Sequence, residues 1–290
     1  MENHMPIFPI LGLRTKNPVI IGSGLLTDQE GNIRKLLAKG AGAVVTKTIH
    51  PSPPEGLAER ILRLPVGMLN STTYSKRPIG YWLTMLRSCA EEGLPVIANL
   101  HADTPVELGR LAQEVEAAGC PALELGISCI NEESDAEDDP DRVRAYTAAV
   151  RSRVTIPFSV KLAAGEGLTD RALAAADAGA NAITLSDTIP GAAVSPKTGA
   201  LELNGVFGYS GPGIKPLVLA AIWRLRRRGF DLPIMGSGGV TCGRDVVDYL
   251  RAGADVVQVY TALHTDMYNT LDTILTGTEH LLAESTKVAH

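Results

Sequence analysis

Long apolar runs, paired cysteines and an excess of positive charge are all missing from this chain of 290 residues. No stretch offers the ~20 consecutive apolar residues that a membrane-spanning helix needs. The segment MENHMPIFPI lacks a basic region followed by a long apolar run, so we expect no signal peptide. A net charge of −5 and an aromatic content of 4% argue against nucleic-acid binding, which depends on positive charge and stacking platforms.

The cysteines are few and isolated. None of the four, Cys89, Cys120, Cys129 and Cys242, belongs to a Cys-x-x-Cys pair. The sequence therefore predicts neither a zinc site nor an iron–sulfur cluster, and no metal site is expected. A reduced, cytoplasmic protein is predicted, because nothing in the spacing indicates a disulfide framework. We expect Cys89, Cys120 and Cys242 to be small buried hydrophobic residues.

The chain does contain an alternation of two kinds of short apolar run. Four runs begin at a proline, which fits the first residue of a strand because no ladder hydrogen bond is lost there. Four others follow an Ala-Gly pair, in which we expect the glycine to end the preceding helix in a left-handed conformation. The prolines are Pro18, Pro95, Pro157 and Pro233, and the pairs are 41–42, 118–119, 178–179 and 252–253.

This alternation predicts an α/β fold, a (β/α)8 TIM barrel formed by one domain over residues 1–290. Parallel strands buried on both faces are apolar throughout and require crossover helices, and eight such units close a barrel. A doubly wound open sheet is the competing architecture, but no strand is followed by Gly-x-Gly-x-x-Gly. The predicted strands are 18–23, 43–47, 95–99, 122–127, 157–161, 182–186, 233–237 and 256–260.

Two long insertions, 49–78 and 187–212, follow predicted strands and should lie on the C-terminal face, where barrels build active sites. Polar residues end the strands on the same face, and two of them are lysines, Lys47 and Lys161. The strand ends are Ser23-Gly24, Thr46-Lys47-Thr48, Asn99, Ser128-Cys129, Lys161, Ser186-Asp187-Thr188, Gly236-Ser237-Gly238-Gly239 and Tyr260-Thr261.

Two of these ends have a recognisable chemistry. The glycine-rich turn 236–239, before a helix predicted to start near Thr241, is typical of a phosphate cradle, since N–H groups at a helix start face an anion. Its place after strand seven, with Thr261 after strand eight, is the usual phosphate position in these barrels. Cys129 is either a buried hydrophobic residue or a reactive thiol that faces two lysines and acts as a general base.

Several longer motifs, in order from about residue 10 to residue 265, resemble those of class 1 dihydroorotate dehydrogenases. The resemblance implies a non-covalent FMN on the C-terminal face and the oxidation or reduction of a small planar ring. The matching stretches are Asn17–Gly24, Gly40–Thr48, Gly67–Asn70, Pro95–Asn99, Glu124–Asn131, Val160–Leu162, Tyr209–Pro216 and Gly236–Val240.

The resemblance also implies a role for each cofactor-binding residue. Ser23 and Gly24 would pack beside the isoalloxazine, while Asn99 and Thr48 would bind the ring or the ribityl chain. Lys161 would face the N1 and O2 side, where a cation stabilises the reduced flavin. The phosphate would be held by Ser210, Gly211, Gly238, Gly239 and Thr261.

The same resemblance implies the substrate side of the site. Cys129 would take a proton from one ring carbon while a hydride leaves the next for flavin N5, with Lys47 as the second catalytic residue. The side chains in contact with the ring would be Lys47, Asn70, Asn131, Asp187 and Thr188.

Four positions depart from the family pattern, which usually includes Glu-Leu-Asn-(Ile/Leu)-Ser-Cys-Pro-Asn. Gly126 and Ile130 replace the first Asn and the Pro, Asp187 replaces an Asn after strand six, and Tyr260 replaces a Gly after strand eight. A carboxylate in place of an amide disfavours an anionic ring such as dihydroorotate, and Asp187 is a candidate ion-pair partner for Lys47. A neutral or cationic ring is therefore our hypothesis; authentic dihydroorotate dehydrogenase activity, compensated from the long loops, is the alternative.

Electron transfer and two further alternatives remain open at this point. Without an iron–sulfur motif, NAD-linked electron transfer would need a separate subunit, whereas a fumarate-type acceptor would not. The resemblance also implies a homodimer. A Schiff-base aldolase using Lys47 or Lys161 is an alternative from another enzyme class. The last alternative is a structural subunit that binds FMN without turnover, although a thiol at position 129 argues against it.

Overall fold

The computed structural model describes residues 7–52, 59–131 and 138–288, with side chains up to residue 284. Residues 53–58 of the first insertion lie outside the described residues. In chain order, the described strands are β1 (Phe8–Ile10), β2 (Leu13–Thr15), β3 (Val19–Ile21), β4 (Ala43–Val45), β5 (Ile61–Arg63), β6 (Met68–Asn70), β7 (Val96–Leu100), β8 (Ala122–Gly126), β9 (Phe158–Ala163), β10 (Ala182–Asp187), β11 (Ile189–Gly191), β12 (Phe207–Ser210), β13 (Ile234–Ser237) and β14 (Val256–Val259).

Eight of these strands form a closed parallel barrel in the order β3-β4-β7-β8-β9-β10-β13-β14, and β14 pairs back with β3. A helix follows each barrel strand before the next one begins. The helices are α1 (Glu30–Ala38), α2 (Ile79–Glu91), α3 (Pro105–Ala117), α4 (Pro140–Arg151), α5 (Leu168–Asp177), α6 (Lys215–Arg227), α7 (Gly243–Ala252) and α8 (Met267–Val288).

The predicted (β/α)8 TIM barrel is confirmed, and each of the eight predicted strands overlaps one barrel strand. The glycine prediction holds at three of the four Ala-Gly pairs, where Gly119, Gly179 and Gly253 have positive φ angles. It is wrong at Gly42. There Gly40 takes the left-handed conformation, and Gly42 is required for a close approach because a Cβ would lie 2.6 Å from the Asn17 carbonyl oxygen.

The inside of the barrel is apolar at its N-terminal end. Ile20, Val45, Ile97 and Met235 pack there against residues 10 and 11 of the β1–β2 hairpin. Residues of this hairpin cover the N-terminal end of the barrel, opposite the C-terminal mouth. Among the described helices, none combines the length and apolar character needed to cross a membrane.

The two insertions meet above the barrel in a small antiparallel sheet. β5 and β6 come from the insertion after β4, and β11 and β12 come from the insertion after β10. The order is β11-β12-β6-β5, and Gly208 of β12 lies opposite Asn70 of β6. Both insertions leave strands at their carboxyl ends, so the small sheet forms one wall of the barrel mouth.

Candidate active site

A single cavity at the C-terminal mouth brings together nearly all of the residues predicted for the site. The space that its atoms leave free, including the solvent in its open mouth, amounts to about 1180 Å³. Gly211 lies in an adjoining cavity that shares Gly239 and Thr261. The predicted residues that line the main cavity are Ser23, Gly24, Lys47, Thr48, Asn70, Asn99, Cys129, Asn131, Lys161, Asp187, Thr188, Ser210, Gly238, Gly239 and Thr261.

The two lysines of the cavity differ in their surroundings. Lys47 is 3% exposed, and burial lowers the pKa of its ammonium group; within the described residues it makes no salt bridge. Lys161 pairs with Asp187 at an Nζ–Oδ1 distance of 3.4 Å. Burial lowers the pKa of Lys161, but Asp187 and Glu124 outweigh it and raise the pKa overall. Within the described residues, Lys161 is therefore a cation paired with a carboxylate, whereas Lys47 has no such partner.

The candidate ion pair between Asp187 and Lys47 is not observed, and this prediction is corrected. Asp187 ends β10, whose neighbour in the barrel is β9, the strand that carries Lys161. Lys47 follows β4, which does not pair with β10. The order of strands around the barrel thus determines which lysine the carboxylate meets.

Cys129 follows β8 and is half-buried. It lies close enough to both lysines for its thiolate form to raise the pKa of Lys47 and of Lys161. Cys89 and Cys120 are buried as expected, whereas Cys242 is half-buried at the start of α7, with its Sγ 3.5 Å from an Asp245 carboxylate oxygen. The expectation of a fully buried thiol at position 242 was therefore wrong.

A buried carboxylate that the sequence analysis missed organises the floor of the cavity. Glu124, in the middle of β8, accepts hydrogen bonds from Asn99 Nδ2 at 2.7 Å, Thr184 Oγ1 at 2.7 Å and Gln258 Nε2 at 2.5 Å. A carboxylate only accepts, so it fixes the amide orientation of both Asn99 and Gln258. A charged residue inside the apolar run 122–126 was the available signal.

The fixed amides turn their oxygen atoms toward the cavity. Asn99 Oδ1 and Gln258 Oε1 are buried, and neither accepts a hydrogen bond within the described part of the chain. Both residues line the cavity. Because a buried acceptor without a donor is costly, these two oxygens indicate a ligand that presents an N–H or O–H group to them.

The glycine turn after β13 has the backbone conformation that a phosphate cradle needs. Gly238 and Gly239 have φ angles of 129° and 70°, and a Cβ at Gly239 would lie 2.7 Å from the Gly211 carbonyl oxygen. Beside this turn, Thr261 and Ser210 share a hydrogen bond of 2.9 Å between their hydroxyl oxygens. Only glycine permits so close an approach of these two backbone segments.

The predicted contribution of the following helix is corrected. The N–H groups of Thr241 and Cys242 donate to one Asp245 carboxylate oxygen at 2.7 Å and 3.1 Å. The start of α7 is thus capped by its own side chain and does not direct these two N–H groups to an anion. The candidate phosphate cradle therefore consists of the glycine turn and the hydroxyl groups of Thr261 and Ser210.

Asn70 and Asn131 line the cavity but also connect its walls. Asn131 Nδ2 donates to Asn70 Oδ1 at 3.2 Å and to the Thr72 carbonyl at 2.7 Å, and its Oδ1 accepts the Gly208 N–H at 2.9 Å. Asn70 Nδ2 donates to the Gly208 carbonyl at 3.1 Å. These two amides fasten the segment after β8 to the small sheet.

Three buried rings, His50, Tyr74 and His101, stack at one side of the cavity with adjacent centroids 4.7 Å apart. With Asp103, the two histidines form a group whose ligand atoms lie within 4.8 Å of one another. His50 Nδ1 accepts the Ser52 N–H at 3.0 Å, so the proton of a neutral ring resides on Nε2, 3.3 Å from Asp103. These hydrogen bonds connect His50 to Asp103 and to the backbone at Ser52.

Tyr260 fills space next to Gly24. Its hydroxyl accepts the Leu26 N–H at 3.2 Å, its ring lies edge-on to His264 with centroids 5.0 Å apart, and burial raises the pKa of its phenol. A Cβ at Gly24 would overlap the Cζ and hydroxyl of Tyr260. Residue 24 must therefore be glycine as long as a tyrosine occupies position 260.

We expect Gly24→Ala to lower the free energy of unfolding by about 1–3 kcal/mol, because the added methyl group meets a packed ring. Thermal or urea unfolding measures this cost. In a Tyr260→Ala background the same substitution should cost much less, since the overlapping atoms are gone. Gly31→Ala, at an exposed position of α1 with no atom within 4 Å of the new Cβ, is the control and should not destabilise. Equal costs in both backgrounds would contradict the packing argument.

Comparison with known proteins agrees with this geometry. A family model described as dihydroorotate dehydrogenase matches residues 8–282. A relative from Methanocella arvoryzae, "Dihydroorotate dehydrogenase B (NAD(+)), catalytic subunit", is 33% identical over 264 residues, 88% of this chain and 86% of the relative. Relatives of the same name from Pyrococcus horikoshii and Pyrococcus furiosus are 33% and 31% identical, covering 98% and 95% of this chain and 95% and 93% of their own.

The chain belongs to the dihydroorotate dehydrogenase family. It is accordingly an oxidoreductase of dihydroorotate dehydrogenase type, acting on CH–CH groups. Membership of this family favours the oxidoreductase over the Schiff-base aldolase and over a structural subunit without turnover. The family is flavin-dependent, so the cavity can be tested against a flavin.

The residues present fit the flavin of a dihydroorotate dehydrogenase. Asn99 Oδ1 and Gln258 Oε1 lack a donor within the described residues, and an isoalloxazine carries an N–H group. Lys161 adds a cation on the same floor, and Gly238 and Gly239 let the backbone approach a phosphate. Family membership does not determine the ring that is oxidised, because Gly126 and Asp187 depart from the family pattern.

Proposed function

We propose that this chain binds FMN in the barrel mouth and moves a hydride between the flavin and a carbon of a small planar ring. The reaction forms or reduces a ring C=C bond. The observation that carries the proposal is that one cavity is lined by Cys129, two lysines and two amides. The oxygen atoms of these amides accept no hydrogen bond within the described residues. A scaffold would need the amides but not the thiol.

Each part of the cofactor has residues suited to it. Asn99, oriented by Glu124, offers an acceptor to the flavin ring, and Lys161 offers a positive charge where a reduced flavin accumulates negative charge. Ser23 and Thr48, whose hydroxyl oxygens lie 3.4 Å apart, are placed for the ring and the ribityl chain, and Gly24 provides a flat surface beside the ring. The phosphate is assigned to Ser210, Gly211, Gly238, Gly239 and Thr261.

The chain's own residues handle the proton. Bound FMN supplies a hydride acceptor at N5, and the proton of the neighbouring ring carbon goes to Cys129 acting as general base. Lys47 stabilises negative charge on the substrate as the proton leaves, since a lysine is desolvated there without an ion pair among the described residues. The ring is assigned to the part of the cavity lined by Asn70, Asn131, Asp187 and Thr188.

We further propose that electrons leave through a separate subunit. The relatives from Methanocella and Pyrococcus are named catalytic subunits of NAD(+) enzymes, and this chain has no cysteine spacing for a cluster of its own. The homodimer predicted from the resemblance remains a prediction, as do the single domain and the cytoplasmic location.

The visible spectrum of the purified protein tests the cofactor. We expect a yellow protein with flavin absorption that releases FMN, identified by mass, when it is denatured. Anaerobic addition of dihydropyrimidines should bleach the absorption. A protein that stays colourless after incubation with FMN would contradict the proposal, and a bound flavin that no ring substrate bleaches would contradict its catalytic part.

A further inference from the structure

The charges in the described lining of the cavity nearly cancel. The lysines and carboxylates that line it within the described residues are Lys47, Lys161 and Asp187. Glu124 lies directly behind Asn99 and acts on Lys161 as a second negative charge. Glu59 and Asp28 also act as negative charges on Lys47, so the two ammonium groups face at least as many carboxylates among the described residues. A carboxylate on a substrate would find little net positive charge to balance the loss of its hydration.

Asp187 presents an oxygen atom that is open to a ligand. Its Oδ1 accepts the Thr188 N–H at 2.7 Å and faces Lys161 Nζ at 3.4 Å. Oδ2 accepts no hydrogen bond from the part of the chain that the structure describes, and the side chain is 33% exposed. An ionised carboxylate can only accept, so this oxygen selects a donor on the ligand and repels a second carboxylate.

Within the described residues, position 126 of the wall beside Lys161 contributes no side-chain donor. Gly126 is the β8 residue that pairs with Lys161 of β9. A Cβ there would lie 3.9 Å from its nearest neighbours, so the wall has ordinary space that no side chain fills. The Gly126 carbonyl lies 2.8 Å from His101 Nδ1, so at position 126 neither a side chain nor this carbonyl offers a donor to an anionic substituent.

We propose that the substrate of this site is an uncharged cyclic amide of dihydropyrimidine type, whose ring N–H donates to Asp187, and not a ring carboxylate. This inference rests on the proposed function and adds the chemical class of its substrate. Asp187 is the residue that determines specificity. Replacing its carboxylate with an amide supplies a donor and removes the charge that opposes an anionic ring.

The experiment compares uracil with orotate, which differ by one carboxylate. Both are titrated into the FMN-loaded protein by calorimetry and by perturbation of the flavin absorption. We expect uracil to bind at least about tenfold more tightly, and Asp187→Asn to shift the ratio toward orotate by about 10–100-fold, as loss of one mismatched charge contact predicts. Asp103→Asn removes a charge from the same face at a position that is 72% exposed, and should leave the ratio unchanged.

Each outcome bears on the inference. Tighter binding of orotate than uracil, binding of neither, or an unchanged ratio in Asp187→Asn would overturn it while leaving the flavin proposal standing. Asp187→Ser, which also removes the charge, serves if the asparagine variant does not fold. Failure of the proposed function would be recognised separately, as a protein without flavin absorption, and calorimetry would still rank the two ligands.

Discussion

The Cys129→Ala variant should reduce bound flavin about 10²–10⁴-fold more slowly than the wild type, the usual contribution of a positioned general base. The thiol is half-buried, lies near two lysines and lines the same cavity as the flavin residues. Its removal leaves the amide oxygens and the glycine turn intact, so FMN should remain bound with near wild-type affinity. Anaerobic stopped-flow reduction of the flavin by a ring substrate measures the rate.

Two further variants make this test specific for proton transfer. Cys129→Ser keeps a hydroxyl that is a much weaker acid, so its activity should return only as the pH is raised. Cys242→Ala removes the other half-buried thiol, which is not part of the cavity, and should keep the wild-type rate. If Cys129→Ala reduces flavin as fast as Cys242→Ala does, another group takes the proton.

Glu124→Gln should weaken FMN binding about 10–100-fold, the effect of one or two lost hydrogen bonds to a buried acceptor. The Glu124 carboxylate accepts hydrogen bonds from the amide NH2 groups of both Asn99 and Gln258. A glutamine at this position presents an NH2 group of its own, and one of the two amides must turn over to avoid a contact between donors. An NH2 group then faces the cavity in place of an acceptor oxygen. Fluorescence quenching on FMN titration gives the dissociation constant.

An altered cofactor separates orientation from general damage. FMN methylated at N3 lacks the ring N–H, so the wild-type protein should discriminate against it and Glu124→Gln should discriminate less. Thr184→Val removes a third donor to Glu124 but leaves both amides oriented, and should keep the discrimination. Retention of wild-type affinity and discrimination by Glu124→Gln would show that Glu124 does not position the flavin site.

The fold was predictable because its signals are local. A proline marks the start of a buried strand and a glycine marks the end of a helix, and each signal depends on only a few neighbouring residues. The barrel repeats both signals around its axis. The sixteen predicted site residues include fifteen that line one cavity, since strands of a parallel barrel place their carboxyl ends at one mouth. The exception, Gly211, is displaced only to the adjoining cavity.

The missed features depend on contacts between distant residues. Gln258 meets Glu124 across 134 positions of sequence, and only the closed barrel brings these strands to the same floor. Similarly, the partner of Asp187 follows from strand order and not from charge, so Lys161 and Lys47 were not distinguishable beforehand. Glycine is required at position 24, after the first barrel strand, because of Tyr260, which follows the last barrel strand.

The four-stranded sheet above the mouth joins the two insertions into one hydrogen-bonded unit. β6 from the first insertion pairs directly with β12 from the second, and Asn131 adds a second connection by bonding to both strands. Neither insertion can swing outward without breaking these hydrogen bonds or carrying the other along. Transplanting only one insertion between relatives would therefore leave mismatched strand edges, and the pair forms the smallest exchangeable unit for recombining substrate preference among these enzymes.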